Sequence, residues 1–199
     1  MTVNIGRNIE TVILIGALAI NAAGIIWVAR HDWKRYGFIV LLSGILGSGL
    51  CYIFVLLGYY TFPHLLIPGF LPFPFESILT AFSFYVLLGI RYSPTKWLYK
   101  VPFYGIIINP GVFAEFLMER HTQLIKYQPA WDLWDSYTTW WIYFLLFEWI
   151  GGKVVPENAR APIAREAFAY GKWAWFLFHI IVLLTTFGVG VLAGTNLPK

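Results

Sequence analysis

The chain has 199 residues, of which 59% are hydrophobic and only 12% are charged. Globular domains average about 45–50% apolar and about 25% charged residues, so this composition excludes disordered chains, collagens and coiled coils. The formal net charge of +4 is small and spread along an apolar chain, which argues against a nucleic-acid partner. The composition therefore predicts an integral membrane protein, whose first partner is the lipid bilayer.

Six segments are apolar and long enough, some of them with their flanks, to cross a bilayer, which needs about 20 residues per helix. They cover approximately residues 10–29, 36–60, 76–90, 101–118, 134–150 and 172–193. The sequence thus predicts an all-α membrane protein, with a bundle of about six transmembrane helices in a single domain over residues 1–199.

The positions of lysine and arginine predict the orientation of this bundle. The loops after the first, third and fifth spans, with their flanks, hold ten of the fourteen basic residues. Loops rich in Lys and Arg face the cytoplasm. We therefore expect a multi-pass protein of the bacterial cytoplasmic membrane with both termini outside.

The loop over residues 61–75 has four prolines, no Lys, Arg, Asp or Glu, and many large apolar side chains. Proline prevents a regular helix, and an apolar loop at membrane depth must be buried. The loop is expected to pack in the interface or against the bundle. The alternative is a lid, or a docking surface for lipid or for a membrane-protein partner.

Six of the ten carboxylates fall on the predicted outer side. Glu10 and Glu76 open the first and third spans, and Glu115 and Glu119 lie one helical turn apart at the outer end of the fourth, next to His121. Such a set could hold a divalent cation or divide acid and base roles. Equally, acids at helix starts can complement the helix dipole, and the others can form surface ion pairs.

The fourth span also contains Asn109, Pro110 and Gly111 in its middle. A proline inside a helix removes a hydrogen bond and bends the chain, and polar groups beside such a bend often line cavities. The fourth span is therefore the predicted centre of any outer site.

Two polar residues lie deeper in the predicted membrane, Glu148 in the fifth span and His179 in the sixth. A hydrogen bond between them is the simplest expectation, because an unsatisfied polar group in lipid is costly. A proton relay or a metal pair is the alternative. Heme is not expected, because His179 has no second intramembrane histidine with which to share axial ligation.

The segment 114–127 reads AEFLMERHTQLIKY, and Trp131 follows it. Its pattern, Glu115, Glu119-Arg120, Thr122 and Ile125-Lys126-Tyr127, resembles a signature of a small family of uncharacterised integral membrane proteins. That family occurs mainly in endospore-forming Gram-positive bacteria. The resemblance extends to the run 70–75 and the basic loop near Arg91. It implies a multi-span bacterial membrane protein and supplies no reaction.

Three functions remain open at this stage. The first is binding or conduction of a small solute or cation at the outer acidic site. The second is a membrane enzyme that acts on a lipid or envelope precursor, and the third is an accessory subunit of a membrane complex. The sequence shows no nucleotide-binding, Ser-His-Asp or zinc-protease pattern, so it names no ligand and no reaction.

Overall fold

The structure is a computed structural model that describes residues 8–164 together with Phe176, Ile180 and Leu184. Five α-helices lie in this part of the chain: α1 (Ile9–Ala29), α2 (Trp33–Leu56), α3 (Phe75–Tyr92), α4 (Trp97–His121) and α5 (Leu133–Val154). The all-α class is confirmed for these residues, and the first five predicted spans coincide with the five helices to within a few residues. The predicted span over 172–193 and both chain termini lie outside the described residues, except for the three single positions.

Three of the described helices are long and apolar enough to cross a membrane: α1, α2 and the part of α4 from Tyr99 to His121. Large apolar side chains cover the outward faces of α1 and α2, and Ile20, Leu41 and Leu56 are each about two-thirds exposed. In water such a surface would favour aggregation, whereas lipid solvates it. The length, the apolar composition and the exposed apolar faces of these helices are consistent with a membrane protein.

Helix α3 is the centre of the bundle and contacts the other four helices. Glycines allow several of these contacts, because a helix without a side chain at the crossing lets its neighbour approach closely. A Cβ added to Gly151 of α5 would lie 2.5 Å from Cγ1 of Ile90, and one added to Gly89 would lie 2.8 Å from Cε1 of Tyr104. The core around α3 includes Val86 and Leu87, which are almost fully buried.

Helix α4 continues through Pro102 and Pro110 as one helix. Gly111, after the second proline, packs against the indole of Trp140: an added Cβ would lie 2.8 Å from two of its ring atoms. Gly111 therefore allows α5 to approach α4 closely, and α4 is not interrupted there.

A short antiparallel ladder, which the all-α prediction did not include, joins the connections at one end of the bundle. It pairs β1 (Tyr60–Thr61) with β2 (Lys126–Tyr127). The proline-rich loop that follows β1 packs against the helices beside it. Leu66 and Phe73 are 7% and 3% exposed, and the backbone N–H of His64 donates to the carbonyl of Gln123 at 2.9 Å.

The two ends of the bundle carry opposite charge. We call residues 30–36, 91–104 and 148–164 the basic end, because they contain eight basic and three acidic residues. We call residues 8–14, 57–77 and 115–136 the acidic end, because they contain six acidic and two basic residues. Backbone contacts bring the three parts of the basic end together: the Tyr36 hydroxyl donates to the carbonyl of Ala159, and the N–H of Ala161 donates to the carbonyl of Arg91, both at 2.8 Å.

Candidate functional site

A buried carboxylate joins α4 to α5 at the basic end. Glu148, which is 2% exposed, accepts a hydrogen bond from the ammonium group of Lys100 on one oxygen and from the hydroxyl of Tyr104 at 2.6 Å on the other. Lys100 and Tyr104 are four residues apart and so share one face of α4. Both oxygens of Glu148 therefore have partners, and one of those partners is a cation.

A second cation reaches Glu148 from the chain that follows α5. We call residues 155–164 the return segment, because it folds back across the basic end. Its Arg160 places Nη1 3.5 Å from Oε1 of Glu148 and donates from Nε to the carbonyl of Val155 at 2.8 Å. The N–H of Ile163 donates to the carbonyl of Tyr92 at 3.0 Å and fixes the far part of the segment to α3. Arg160 is thus held in place from both sides.

The third cation is Arg91, in the last turn of α3. It is 9% exposed, and its guanidinium carbon lies 6.0 Å from the ring centre of Tyr36 and 5.6 Å from that of Tyr92. Arg91 and Arg160 both interact electrostatically with the Tyr36 hydroxyl. Arg91, Lys100 and Arg160 therefore form one group, which we call the cationic cluster.

The cationic cluster has more positive charge than its surroundings neutralise. Of the three buried cations, Lys100 and Arg160 contact the carboxylate of Glu148, and Arg91 forms no ion pair within the described residues. Of the other two acids of the basic end, Asp32 also interacts with the Tyr36 hydroxyl but pairs with Arg35 at 2.7 Å, and Glu157 is exposed. Buried charges are normally paired, since desolvation is costly. Within the described residues, the cluster keeps an excess of two positive charges.

The cluster also has hydrogen-bond donors left over. Nε of Arg91 and Nη2 of Arg160 are buried and have no hydrogen-bond partner in the described part of the chain. A buried donor without an acceptor costs about 1–3 kcal/mol, and more when it is charged. Excess charge and free donors in the same cluster are the features of a site for an anion. A surface pocket lies between the α3–α4 connection and the return segment, and it is lined by Pro94, Thr95, Lys96, Tyr99 and Ile163.

At the acidic end, Glu115 is fully engaged by the protein itself. Its Oε1 accepts from the hydroxyls of Tyr127 at 2.7 Å and Ser136 at 2.5 Å, and its Oε2 accepts from the indole N–H of Trp140 at 3.0 Å. Burial, followed by the charge of Glu115, raises the pKa of the Tyr127 hydroxyl, which therefore stays protonated as a donor. Glu115 joins α4, β2 and α5, a structural role.

The other acids of the predicted outer site make separate contacts. Glu10 accepts from the backbone N–H of Gln123 at 3.2 Å, and an oxygen of Glu119 lies 3.9 Å from Nε of Arg120. The side chain of His121 is exposed. In the residues that the structure describes, no three Asp, Glu, His or Cys side chains lie close enough to hold a metal ion.

Two predicted site residues have a buried atom without a partner. Oε1 of Glu76, in the first turn of α3, and Oδ1 of Asn109, in the middle of α4, accept no hydrogen bond from the described chain. Within the predicted outer set, Glu76 and Asn109 are thus the residues with a buried oxygen that accepts no hydrogen bond from the described chain.

Of the deeper pair that the sequence predicted, Glu148 and His179, the structure describes only Glu148. Glu148 is buried as expected, but its described partners are Lys100, Tyr104 and Arg160, and His179 lies outside the described residues. Sequence reasoning treated Arg91, Lys100 and Arg160 as cytoplasmic loop charges and missed the cluster. The available signal was the spacing of Lys100 and Tyr104, which places two polar groups on one face of an apolar helix.

Comparisons with known protein families, with curated proteins and with solved structures found no match. The resemblance of residues 114–127 to the endospore-former membrane family stays a prediction. The function therefore has to be argued from the geometry of this chain.

Proposed function

We propose that this chain is a multi-pass protein of the bacterial cytoplasmic membrane that binds an anionic ligand in its cationic cluster. The three apolar helices support a membrane location. The eight basic residues of the basic end support a cytoplasmic position for that end. About six spans, as the sequence predicts, would place both termini on the opposite side.

One observation carries the proposal: the buried guanidinium nitrogens of Arg91 and Arg160 that have no acceptor. Packing alone does not explain them, because Lys or Arg side chains of this length normally extend to water when no partner is near. An anion between the two guanidinium groups would supply the missing acceptors and offset the excess charge. Binding of this anion would therefore stabilise the folded protein, because it removes the cost of burying unpaired, charged donors.

Binding is a better account than catalysis. A general base has to reach the proton that it takes from a substrate, but Glu148 is 2% exposed and both of its oxygens already accept hydrogen bonds, from Lys100 and from Tyr104. The cluster, as far as it is described, contains neither histidine nor cysteine. The enzyme and accessory-subunit hypotheses stay predictions that no contact in the described chain favours.

Thermal unfolding of the full chain, purified in an uncharged detergent, tests this function. Sulfate should raise the midpoint relative to chloride at equal ionic strength, because a ligand at 100 times its Kd adds about 2.7 kcal/mol to stability. Arg91→Gln and Arg160→Gln should each reduce the difference between the two salts to the small general effect of sulfate on burial. Arg30→Gln is the matched control, since Arg30 is exposed at the same end. An equal midpoint in both salts for the wild-type protein would contradict the proposal.

A second candidate is cation binding at the acidic end, and the unpartnered carboxylate oxygen of Glu76 favours it. A cation or a proton there would remove the cost of a buried, unsatisfied carboxylate. Stabilisation of the protein by a series of mono- and divalent chlorides should then disappear in Glu76→Gln and persist in Glu119→Gln. The same response in both variants would remove this candidate.

A further inference from the structure

We infer that the anionic group held by the cationic cluster is the phosphate monoester of a membrane lipid in the leaflet at the basic end. This inference rests on the proposed function and specifies its ligand. It concerns residues from three separate elements: Arg91 of α3, Lys100 of α4 and Arg160 of the return segment.

The charge of the site favours a monoester. Glu148 neutralises one of the three cations, so two positive charges remain. A phosphate monoester carries a charge of about −1.5 to −2 near pH 7, whereas a diester or a carboxylate carries about −1. Of these three groups, a monoester therefore comes closest to neutralising the cluster.

The donors of the site favour a phosphate over a spherical anion. A guanidinium group presents several N–H donors in a planar fork that matches the oxygens of a phosphate. Here two such groups have unused nitrogens, Nε of Arg91 and Nη2 of Arg160. They come from different elements, so they can contact different oxygens of one tetrahedral group.

The position of the site favours a lipid as the carrier of the phosphate. Nζ of Lys100 lies 4.9 Å from the ring centre of Trp97, and Trp97 is 58% exposed. One turn further along α4, Val101 is 54% exposed. Exposed tryptophan beside an exposed aliphatic residue is typical of the interface between headgroups and acyl chains. The cluster is thus at the depth where lipid phosphates lie.

The return segment completes the site. Hydrogen bonds from Tyr36 to Ala159 and from Ile163 to Tyr92 hold it against α2 and α3, and between them it supplies Arg160. A headgroup would therefore contact the bundle through Arg91 and Lys100 and the return segment through Arg160. Binding should tie this segment more firmly to the helices.

Titration of the full chain in an uncharged detergent, followed by tryptophan fluorescence, tests the inference. The probes are short-chain phosphatidic acid, phosphatidylglycerol and phosphatidylcholine with the same acyl chains, and inorganic phosphate. Phosphatidic acid should bind at least about tenfold more tightly than each of the others. Arg91→Gln and Arg160→Gln should each weaken it by about tenfold or more, the effect of losing one charged hydrogen bond.

Two matched controls remove the same charge from exposed positions of the same end. Arg30→Gln and Lys34→Gln should leave the affinity for phosphatidic acid unchanged. Helix content by circular dichroism must be that of the wild-type protein in every variant. Arg91→Lys replaces Arg91→Gln if that variant folds poorly. It keeps the charge and loses the planar fork, so it should weaken the binding of phosphatidic acid, but by less than the loss expected for Arg91→Gln.

The outcomes separate this inference from the proposed function. Equal affinity for phosphatidylglycerol, or for inorganic phosphate, would overturn the lipid monoester and leave an anion site in place. Binding of phosphatidic acid that survives both arginine substitutions would overturn the assignment to the cluster. Failure of every anion to bind would overturn the inference and the proposed function together.

Discussion

The acidic end and the basic end are each organised around one glutamate, and the difference between Glu115 and Glu148 shows what makes a candidate site. Glu115 accepts from two hydroxyls and an indole, all neutral, and these donors have their acceptor. Glu148 accepts from one hydroxyl and contacts two cations, while a third cation lies beside them. Charge alone therefore does not indicate function: the acidic end has more acids, but the basic end has buried cationic donors without an acceptor in the described chain.

Removal of Glu148 should have the largest effect on stability. Glu148→Ala leaves Lys100 and Arg160 buried without their carboxylate, and such a loss costs about 3–5 kcal/mol. The free energy of unfolding in detergent measures it. Glu119→Ala is the control at the other end, because the Glu119 side chain is 25% exposed and its carboxylate lies 3.9 Å from Nε of Arg120. Equal effects of the two substitutions would contradict the contrast between the ends.

Removal of Glu115 should have a smaller effect. Glu115→Ala leaves Tyr127, Ser136 and Trp140 without an acceptor, and the loss should be about 3 kcal/mol, since these donors are neutral and water can reach the partly buried site. Tyr127→Phe removes a single one of the bonds and should cost about 1 kcal/mol. A larger loss in Glu115→Ala than in Glu148→Ala would reverse the comparison.

The close contact between α3 and α5 near the basic end gives a third test. In Gly151→Ala the new methyl group would lie 2.5 Å from Cγ1 of Ile90, so the Ile90 side chain must move or the helices must separate, at a cost of about 2 kcal/mol. Gly49→Ala is matched in chemistry, but nothing lies within 4 Å of its added Cβ. If both variants unfold at the wild-type midpoint, the packing of α5 on α3 is not as described.

The smallest effect concerns Asp32, which caps α2 at the basic end. The backbone N–H of Arg35, then its side chain, lowers the pKa of Asp32 in the folded protein. Its contribution to stability is therefore complete above the ordinary pKa of aspartate and is lost as pH falls through the lower, folded value. The difference in unfolding midpoint between wild type and Asp32→Asn should accordingly shrink towards zero as pH falls from 7.

A matched variant separates the two causes of this pH dependence. Arg35→Gln keeps the backbone donor and loses the ion pair, so most of the pH dependence should remain. A midpoint difference for Asp32→Asn that grows as pH falls would show that the carboxylate is not stabilised in the folded state.

The sequence was sufficient for the helices and insufficient for the site. Apolar runs bounded by charge and proline predicted the five described helices, because a helix in lipid satisfies its own backbone and leaves little choice of structure. The sequence also located Glu115 and Glu148 at helix ends. It could not show that Tyr127 and Trp140 surround the first, or that Arg160 folds back 12 residues further on to meet the second.

The short ladder between β1 and β2 was hidden for the same reason, whereas the packing of the proline-rich loop was expected from its apolar composition. Pairing of Tyr60 with Tyr127 joins residues that are far apart in the sequence, and no local pattern encodes such a contact. By contrast, the close approach at Gly111 could be predicted, since it depends on the local absence of a side chain.

The most direct test of the central claim is a crystal structure of the full chain grown with selenate, a tetrahedral oxyanion whose selenium has an anomalous signal. The account predicts an anomalous peak within hydrogen-bond distance of Nε of Arg91 and Nη2 of Arg160. A map in which those two nitrogens instead donate to groups of the chain itself, with no peak between them, would contradict it.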